Sequence, residues 1–214
     1  MKTVIIDYGS GNLRSMAKSC EKAAASLGKE ILVTSNPDDI VKAERIILPG
    51  VGAFGDCAAG INAIDGMRET LEEQVQQKKK PFLGVCVGMQ LLANKGFEHG
   101  EHAGFGWIEG EVIAIQPKDA SYKVPHMGWN ELIIDQLDHP ALSGIKTGDH
   151  AYFVHSFHFS CKDKHAILGM VEYGSPLVAV IGKRNIIGTQ FHPEKSQDVG
   201  LKLLTNFLTW QPTW

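Results

Sequence analysis

The sequence predicts an α/β fold: a mostly parallel sheet flanked by helices, with a β-rich C-terminal half. Three observations predict it. Short apolar runs alternate with helical patterns as far as Leu92, the arrangement that builds a parallel sheet. Beyond Leu92 strand-like runs follow one another with little helix between them. Between the two halves, the apolar run from Pro81 ends on Cys86, bracketed by Gly84 and Gly88, which reads as a sharp strand-to-helix elbow.

Each element has its own signal. Thr3 to Ile6 is an apolar run closed by Asp7, Tyr8 and Gly9, and a helical pattern from Asn12 to Leu27 stops at Gly28 as at a glycine cap. Glu30 to Thr34 predicts a strand, Pro37 to Lys42 a short helix, and Arg45 to Leu48 a third strand. The glycine-rich stretch from Pro49 to Gly55 reads as a loop, Ala58 to Gln77 as one long helix, and Pro81 to Cys86 as a strand. Lys78, Lys79 and Lys80 are expected to solvate the end of that long helix. In the second half, 107–115, 131–134, 152–160, 166–173, 177–183 and 186–191 predict strands. An amphipathic helix over 198–210 places Leu201, Leu204 and Leu208 on one face. No repeat, linker or low-complexity segment interrupts the chain.

A chain of 214 residues with 43% hydrophobic content suits one well-buried domain over residues 1–214. A formal net charge of -3 without a long basic run removes the electrostatic term that dominates nucleic-acid binding, so nucleic acid is not an expected partner. Cys20, Cys57, Cys86 and Cys161 lie far apart and do not suggest a disulfide framework; reduced thiols and a cytoplasmic setting are expected. Met1 and Lys2 run into an apolar segment closed at once by Asp7, too short for a signal-peptide core. No apolar stretch approaches a membrane span, so no membrane partner is expected.

Several motif readings fail. Gly9-Ser10-Gly11 follows a strand as a dinucleotide turn would, but the third glycine of that fingerprint falls at Arg14. Gly182-Lys183 is followed by Arg184, not the Ser or Thr of a phosphate loop. His99, Glu101 and His102 lack further ligands spaced to complete a tetrahedral metal site.

What remains converges on a thiol. At the elbow, the Val87 N–H and the start of the next helix point towards the Cys86 sulfur, a setting that activates a thiol and can hold an oxyanion. Gly50 and Gly52 flank Val51 after the preceding strand and let a peptide plane turn an N–H inward, at the carboxyl end of the sheet where such folds place their sites. A thiol nucleophile needs a base, and the base an orienting group. His192-Pro193-Glu194 supplies both, because side chains two apart in an extended segment point the same way and Pro193 stiffens the link. Cys86, His192 and Glu194 would form a triad. Of His155 and His158, in an alternating aromatic segment, one is expected to line the pocket.

Pro-Gly-Val-Gly at 49–52, Gly-Val-Cys-Val-Gly-Met-Gln at 84–90 and Phe-His-Pro-Glu-Lys-Ser at 191–196 together resemble the class I glutamine amidotransferases, in order and spacing across nearly the whole chain. More narrowly, Asp7 to Leu13, Pro125 to Asn130 and Lys195-Ser196 resemble the glutaminase subunits of imidazole glycerol phosphate synthases. The resemblance implies a flavodoxin-like domain that hydrolyses L-glutamine and hands ammonia to a (β/α)8-barrel cyclase subunit in histidine biosynthesis, with no metal or organic cofactor. It makes Cys86 the nucleophile, His192 the general base and acid, and Glu194 the orienting carboxylate. Gly52 and Val87 would supply oxyanion N–H groups, the Gly50-Val51 peptide being the one that turns. Gln90, Glu98, His155 and Ser156 would contact glutamine, and Asn12, Trp129 and Lys195 would face the partner.

Two other classes are weighed against this. An esterase, peptidase or chaperone-like protein with the same elbow has no need of Gln90 beside the nucleophile or of the Met-Gly-Trp-Asn stretch. A silent docking protein is expected to lack a triad member, and this chain has all three.

Overall fold

The computed structural model describes residues 2–119, 121–136 and 138–212. The first half alternates: β1 (Lys2–Ile6), α1 (Leu13–Ala24), β2 (Glu30–Thr34), α2 (Pro37–Lys42), β3 (Arg45–Gly50), α3 (Phe54–Ala63), α4 (Met67–Leu71), a π-helical turn (Glu72–Gln77), β4 (Phe82–Cys86) and the one-turn α5 (Val87–Gln90). The second half contributes β5 (Lys95–Gly96), β6 (His102–Ala103), β7 (Gly110–Ala114), β8 (His126–Ile134), β9 (His150–His155), β10 (Phe157–Cys161), β11 (Ile167–Glu172), β12 (Pro176–Lys183) and β13 (Ile186–Thr189). Three short 3₁₀ turns (Pro140–Leu142, Lys164–Ala166, Pro193–Lys195) and α6 (Gln197–Thr209) complete it.

Nine strands form the central sheet, in the order β2-β1-β3-β4-β13-β12-β11-β8-β9. The block from β2 to β13 is parallel, and the β-rich second half extends it antiparallel from β12 to β9. A smaller sheet, β10-β7-β5-β6, stands apart. The central strands are buried on both faces and read accordingly as continuous apolar runs: Phe82, Leu83 and Val85 of β4 are all buried, each contributing on the order of 1.5–3 kcal/mol. Helix α6 turns Leu203, Leu204, Phe207 and Leu208 inward, and its C-terminal carbonyls at Phe207 and Trp210 accept bonds from the buried Arg45 guanidinium at 3.0 and 2.5 Å. Among the described residues no helix is long and apolar enough to cross a membrane.

Besides β8 starting at His126 rather than at residue 131, and the short strands β5 and β6, two elements differ from the sequence reading. The single helix expected over 58–77 starts earlier, at Phe54, and is broken at Gly66, whose φ of 71° is left-handed. The single strand expected over 152–160 is two: the chain leaves the large sheet after His155 and enters the small one at Phe157, with Phe153 and Phe159 buried on either side of the crossing. Alternation alone does not reveal a change of sheet, because the side-chain period continues through it. That crossing places His155 and Ser156 beside the ends of the parallel strands.

Candidate active site

Strand β4 lies between β3 and β13, with Gly50 level with Cys86, so the segments leaving all three strands converge. At their meeting point Cys86 adopts φ 55° and ψ -111°, a conformation that side chains with a Cβ rarely hold and that marks a strained elbow. The bracketing glycines are sterically required. A Cβ on Gly84 would sit 2.5 Å from the Gly88 carbonyl oxygen, and one on Gly88 would collide with the Leu48 carbonyl of β3.

His192 follows β13 and is buried. Its Nδ1 lies 2.9 Å from Glu194 Oε1, and both side chains are only 2% exposed. Burial alone would lower the imidazole's pKa, but the neighbouring Cys86 sulfur and the hydrogen-bonded Glu194 carboxylate outweigh it and raise the value to about 9. Since Glu194 occupies Nδ1, the nitrogen left for the sulfur is Nε2, which at rest is buried without a well-formed hydrogen bond.

A cavity of about 500 Å³ opens over these groups. Its walls include Cys86, Val87, Gln90, Val51, Gly52, Glu98, His155, Ser156, His192 and Lys195. Gly50 is buried beneath them, with the Gly88 backbone and the Tyr8 hydroxyl close against it. The oxyanion loop is gripped on either side of the Gly50-Val51 peptide: the Tyr8 hydroxyl donates to the Pro49 carbonyl at 2.6 Å, and the Ser10 hydroxyl to the Val51 carbonyl at 2.5 Å, with Cys57 Sγ at 3.4 Å. Burial raises the Tyr8 and Cys57 pKa values, which keeps both as neutral donors. Glu98 reaches the wall by capping α3, accepting the Phe54 N–H at 2.9 Å from 44 positions along the chain. His158, on β10, does not line the cavity; His155 does.

Of the residues expected to face a partner, Lys195 borders the cavity and Trp129 stands 47% exposed on β8. Both lie against Tyr152, the Trp129 ring edge-on at 6.0 Å and Lys195 Nζ over the ring at 5.7 Å. Asn12 is elsewhere, half-buried at the start of α1. Sequence reasoning gave no role to two buried polar residues beside the site: Gln190, whose Nε2 is 3.7 Å from Cys86 Sγ, and His126, whose Nδ1 is 2.9 Å from His155 Nε2. Their signal was a polar residue inside an otherwise apolar strand context, next to a recognised motif. Among the described residues no three His, Cys, Asp or Glu side chains gather in a way that would hold a metal ion.

Residues 4–210 match the family described as glutamine amidotransferase class-I. The chain is 54% identical to imidazole glycerol phosphate synthase subunit HisH of Rhodospirillum rubrum, over 99% of this chain and 100% of that protein. It is 50% identical to the subunit of the same name from Cereibacter sphaeroides, again over 99% and 100%. Among solved structures, a chain of PurLQS from Thermotoga maritima superposes with a TM-score of 0.71 at 20% identity, covering 97% of each chain, a likeness of fold. The chain therefore belongs to the class-I glutamine amidotransferases, and within them to the family of the HisH subunits of imidazole glycerol phosphate synthase.

Proposed function

We propose that the chain, acting as one domain over residues 1–214, hydrolyses L-glutamine to L-glutamate and ammonia through a Cys86-His192-Glu194 triad. It passes the ammonia to a (β/α)8-barrel cyclase subunit that makes imidazole glycerol phosphate and aminoimidazole carboxamide ribonucleotide in histidine biosynthesis. The observation that carries this reading is the buried His192–Glu194 pair at 2.9 Å, whose His192 lines the same cavity as the strained Cys86.

In this mechanism Cys86 transfers its proton to His192 and attacks the side-chain amide carbon of glutamine. The N–H groups of Val87 and of the Gly50-Val51-Gly52 loop receive the developing oxyanion. With its pKa at about 9, the imidazole holds the proton through neutral pH and gives it to the departing nitrogen. Ammonia leaves, and a water that gives its proton to the same imidazole hydrolyses the glutamyl thioester, returning Cys86. Glu194 keeps Nδ1 protonated and the ring aimed at the sulfur. Gln90, Glu98, His155 and Ser156 orient the substrate from the cavity walls. The four free cysteines suit a reducing compartment, and the cytoplasm is where this reaction is placed.

The test is Cys86→Ala. It should abolish glutamine hydrolysis while the complex with the cyclase still uses ammonium salts as the nitrogen source. Glutamine-dependent synthesis surviving in the variant would overturn the reading, and preference for simple esters over glutamine in the parent would favour a hydrolase of another kind.

A further inference from the structure

Gln190 is fully buried beside the nucleophile, and the mechanism above leaves it without a task. The orientation of its amide follows from its neighbours. The Phe157 carbonyl can only accept, and it receives Gln90 Nε2 at 3.0 Å, which fixes the nitrogen end of Gln90. The same nitrogen lies 3.0 Å from Gln190 Oε1, so Gln190 presents its oxygen to Gln90. Its nitrogen is thereby turned to Cys86 Sγ, at 3.7 Å. Reversing Gln190 would set donor against donor at Gln90 Nε2, and reversing Gln90 would set acceptor against acceptor at the Phe157 carbonyl, so the chain of bonds admits one arrangement. The Gln190 backbone is anchored as well, its N–H donating to the Ala179 carbonyl at 2.8 Å.

We propose that Gln190 is a catalytic residue of the glutaminase: its amide N–H donates to the Cys86 sulfur and stabilises it while it carries negative charge, and Gln90 with the Phe157 carbonyl holds that amide in place. The inference rests on the reading of Cys86 as nucleophile. A hydrogen bond to an ionised acceptor is roughly twice as strong as one to a neutral acceptor, so the bond favours the anionic sulfur over the thiol and over the thioester. The amide is neutral and leaves the charge balance of His192 and Glu194 undisturbed. The other titratable groups coupled to the sulfur are His192, Tyr8 and Cys57. Glu98, His99, His155 and Lys195 share the cavity.

The pH dependence of Cys86 alkylation by iodoacetamide in the full chain tests the assignment. Labelling is read on the Cys86 peptide by mass, because Cys20, Cys57 and Cys161 are also free thiols. Gln190→Met keeps the side-chain length and removes the donor. Below the alkaline plateau its labelling should slow about tenfold, with the profile displaced to higher pH by about one unit, while the plateau rate stays equal or rises. Gln90→Met, which leaves Gln190 intact but frees its amide, should give a smaller displacement of the same sign. A packing role would lower thermal stability or slow labelling at every pH without moving the profile. Should Gln190→Met fail to fold, Gln190→Asn, which draws the nitrogen back by one methylene, is read in the same way. A profile superimposable on the parent's overturns the proposal. If Cys86→Ala still hydrolyses glutamine, the nucleophile reading itself falls; if Cys86→Ala is inactive and the Gln190 profiles are unmoved, only the present inference falls.

Discussion

His126 Nδ1 lies 2.9 Å from His155 Nε2, and the bonds around this pair determine both tautomers. The Phe157 carbonyl accepts from His155 Nδ1 at 2.9 Å, so the His155 proton sits on Nδ1 and Nε2 is free to accept from His126. At the far end, His126 Nε2 faces Asn130 Nδ2 at 3.2 Å. The asparagine cannot turn over, since its nitrogen also donates to the Glu172 carbonyl and its oxygen accepts the Glu131 N–H. A proton added to either ring leaves two donors facing each other. Both imidazoles are therefore held neutral, and burial first of all lowers His126 to about 4 and His155 to about 3.

A pH dependence of stability follows with a definite sign. His126 and His155 have folded values below the ordinary 6.5, so the unfolded chain binds more protons between pH 6.5 and about 3. Their contribution is complete above pH 6.5 and is lost as the pH falls through that window. His192 has the opposite sign: raised to about 9, its contribution is complete below 6.5 and is lost as the pH rises through 9. Urea midpoints measured across pH 4 to 9 should peak near pH 6 to 7. In His126→Gln the acid limb should flatten; an unchanged acid limb would contradict the neutral assignment.

Gly84→Ala tests the elbow. The added methyl would meet the Gly88 and Met89 backbone at 2.5 to 2.8 Å, atoms that cannot yield as a flexible side chain would. Overpacking of this kind costs about 1–3 kcal/mol, a Tm loss of several degrees for a chain of this length. Because the strain falls on the turn that presents Cys86, glutamine hydrolysis should drop by more than the folded fraction does, as read by comparing activity with circular dichroism on the same sample.

Glu194→Gln should move the alkaline limb of glutaminase activity. The carboxylate is among the groups that raise His192 to about 9, so replacing it with a neutral amide lowers the pH at which the ring loses its proton. The limb should shift to more acidic pH, with a loss in kcat of about ten- to a hundredfold, smaller than the hundred- to ten-thousandfold expected for His192→Ala. An alkaline shift would argue that Glu194 does not face the imidazole in the working enzyme.

Much of the site was legible because its chemistry is local in sequence. The elbow lies within Gly84 to Gly88, and the His192–Glu194 pair is two residues apart, so spacing alone constrains the geometry. What escaped depends on separation. Gln190 meets Gln90 across 100 positions, and Glu98 caps α3 across 44; no periodicity reports such pairings. The break at Gly66 and the change of sheet after His155 escaped for a related reason: each is decided by what the chain packs against, while the apolar pattern runs on uninterrupted.

The last expectation concerns control by the cyclase. Ammonia released without an acceptor is lost, so a resting glutaminase should be slow, and the oxyanion loop offers the means. Its Pro49 and Val51 carbonyls are pinned by Tyr8 and Ser10, leaving the Gly50-Val51 peptide as the unit able to turn between two fixed points. Trp129 and Lys195 meet on Tyr152, and Lys195 follows Glu194 directly, so pressure on this exposed face is one residue from the triad. The isolated chain should hydrolyse glutamine weakly and be strongly stimulated by the cyclase with its nucleotide bound. Trp129→Ala and Lys195→Ala should reduce that stimulation severalfold or more while changing the labelling rate of Cys86 by a glutamine-like alkylating agent far less; Asn12→Ala should weaken association with the cyclase. Full activity of the isolated chain, unaltered by the liganded cyclase, would remove the loop from any regulatory role and leave the triad standing.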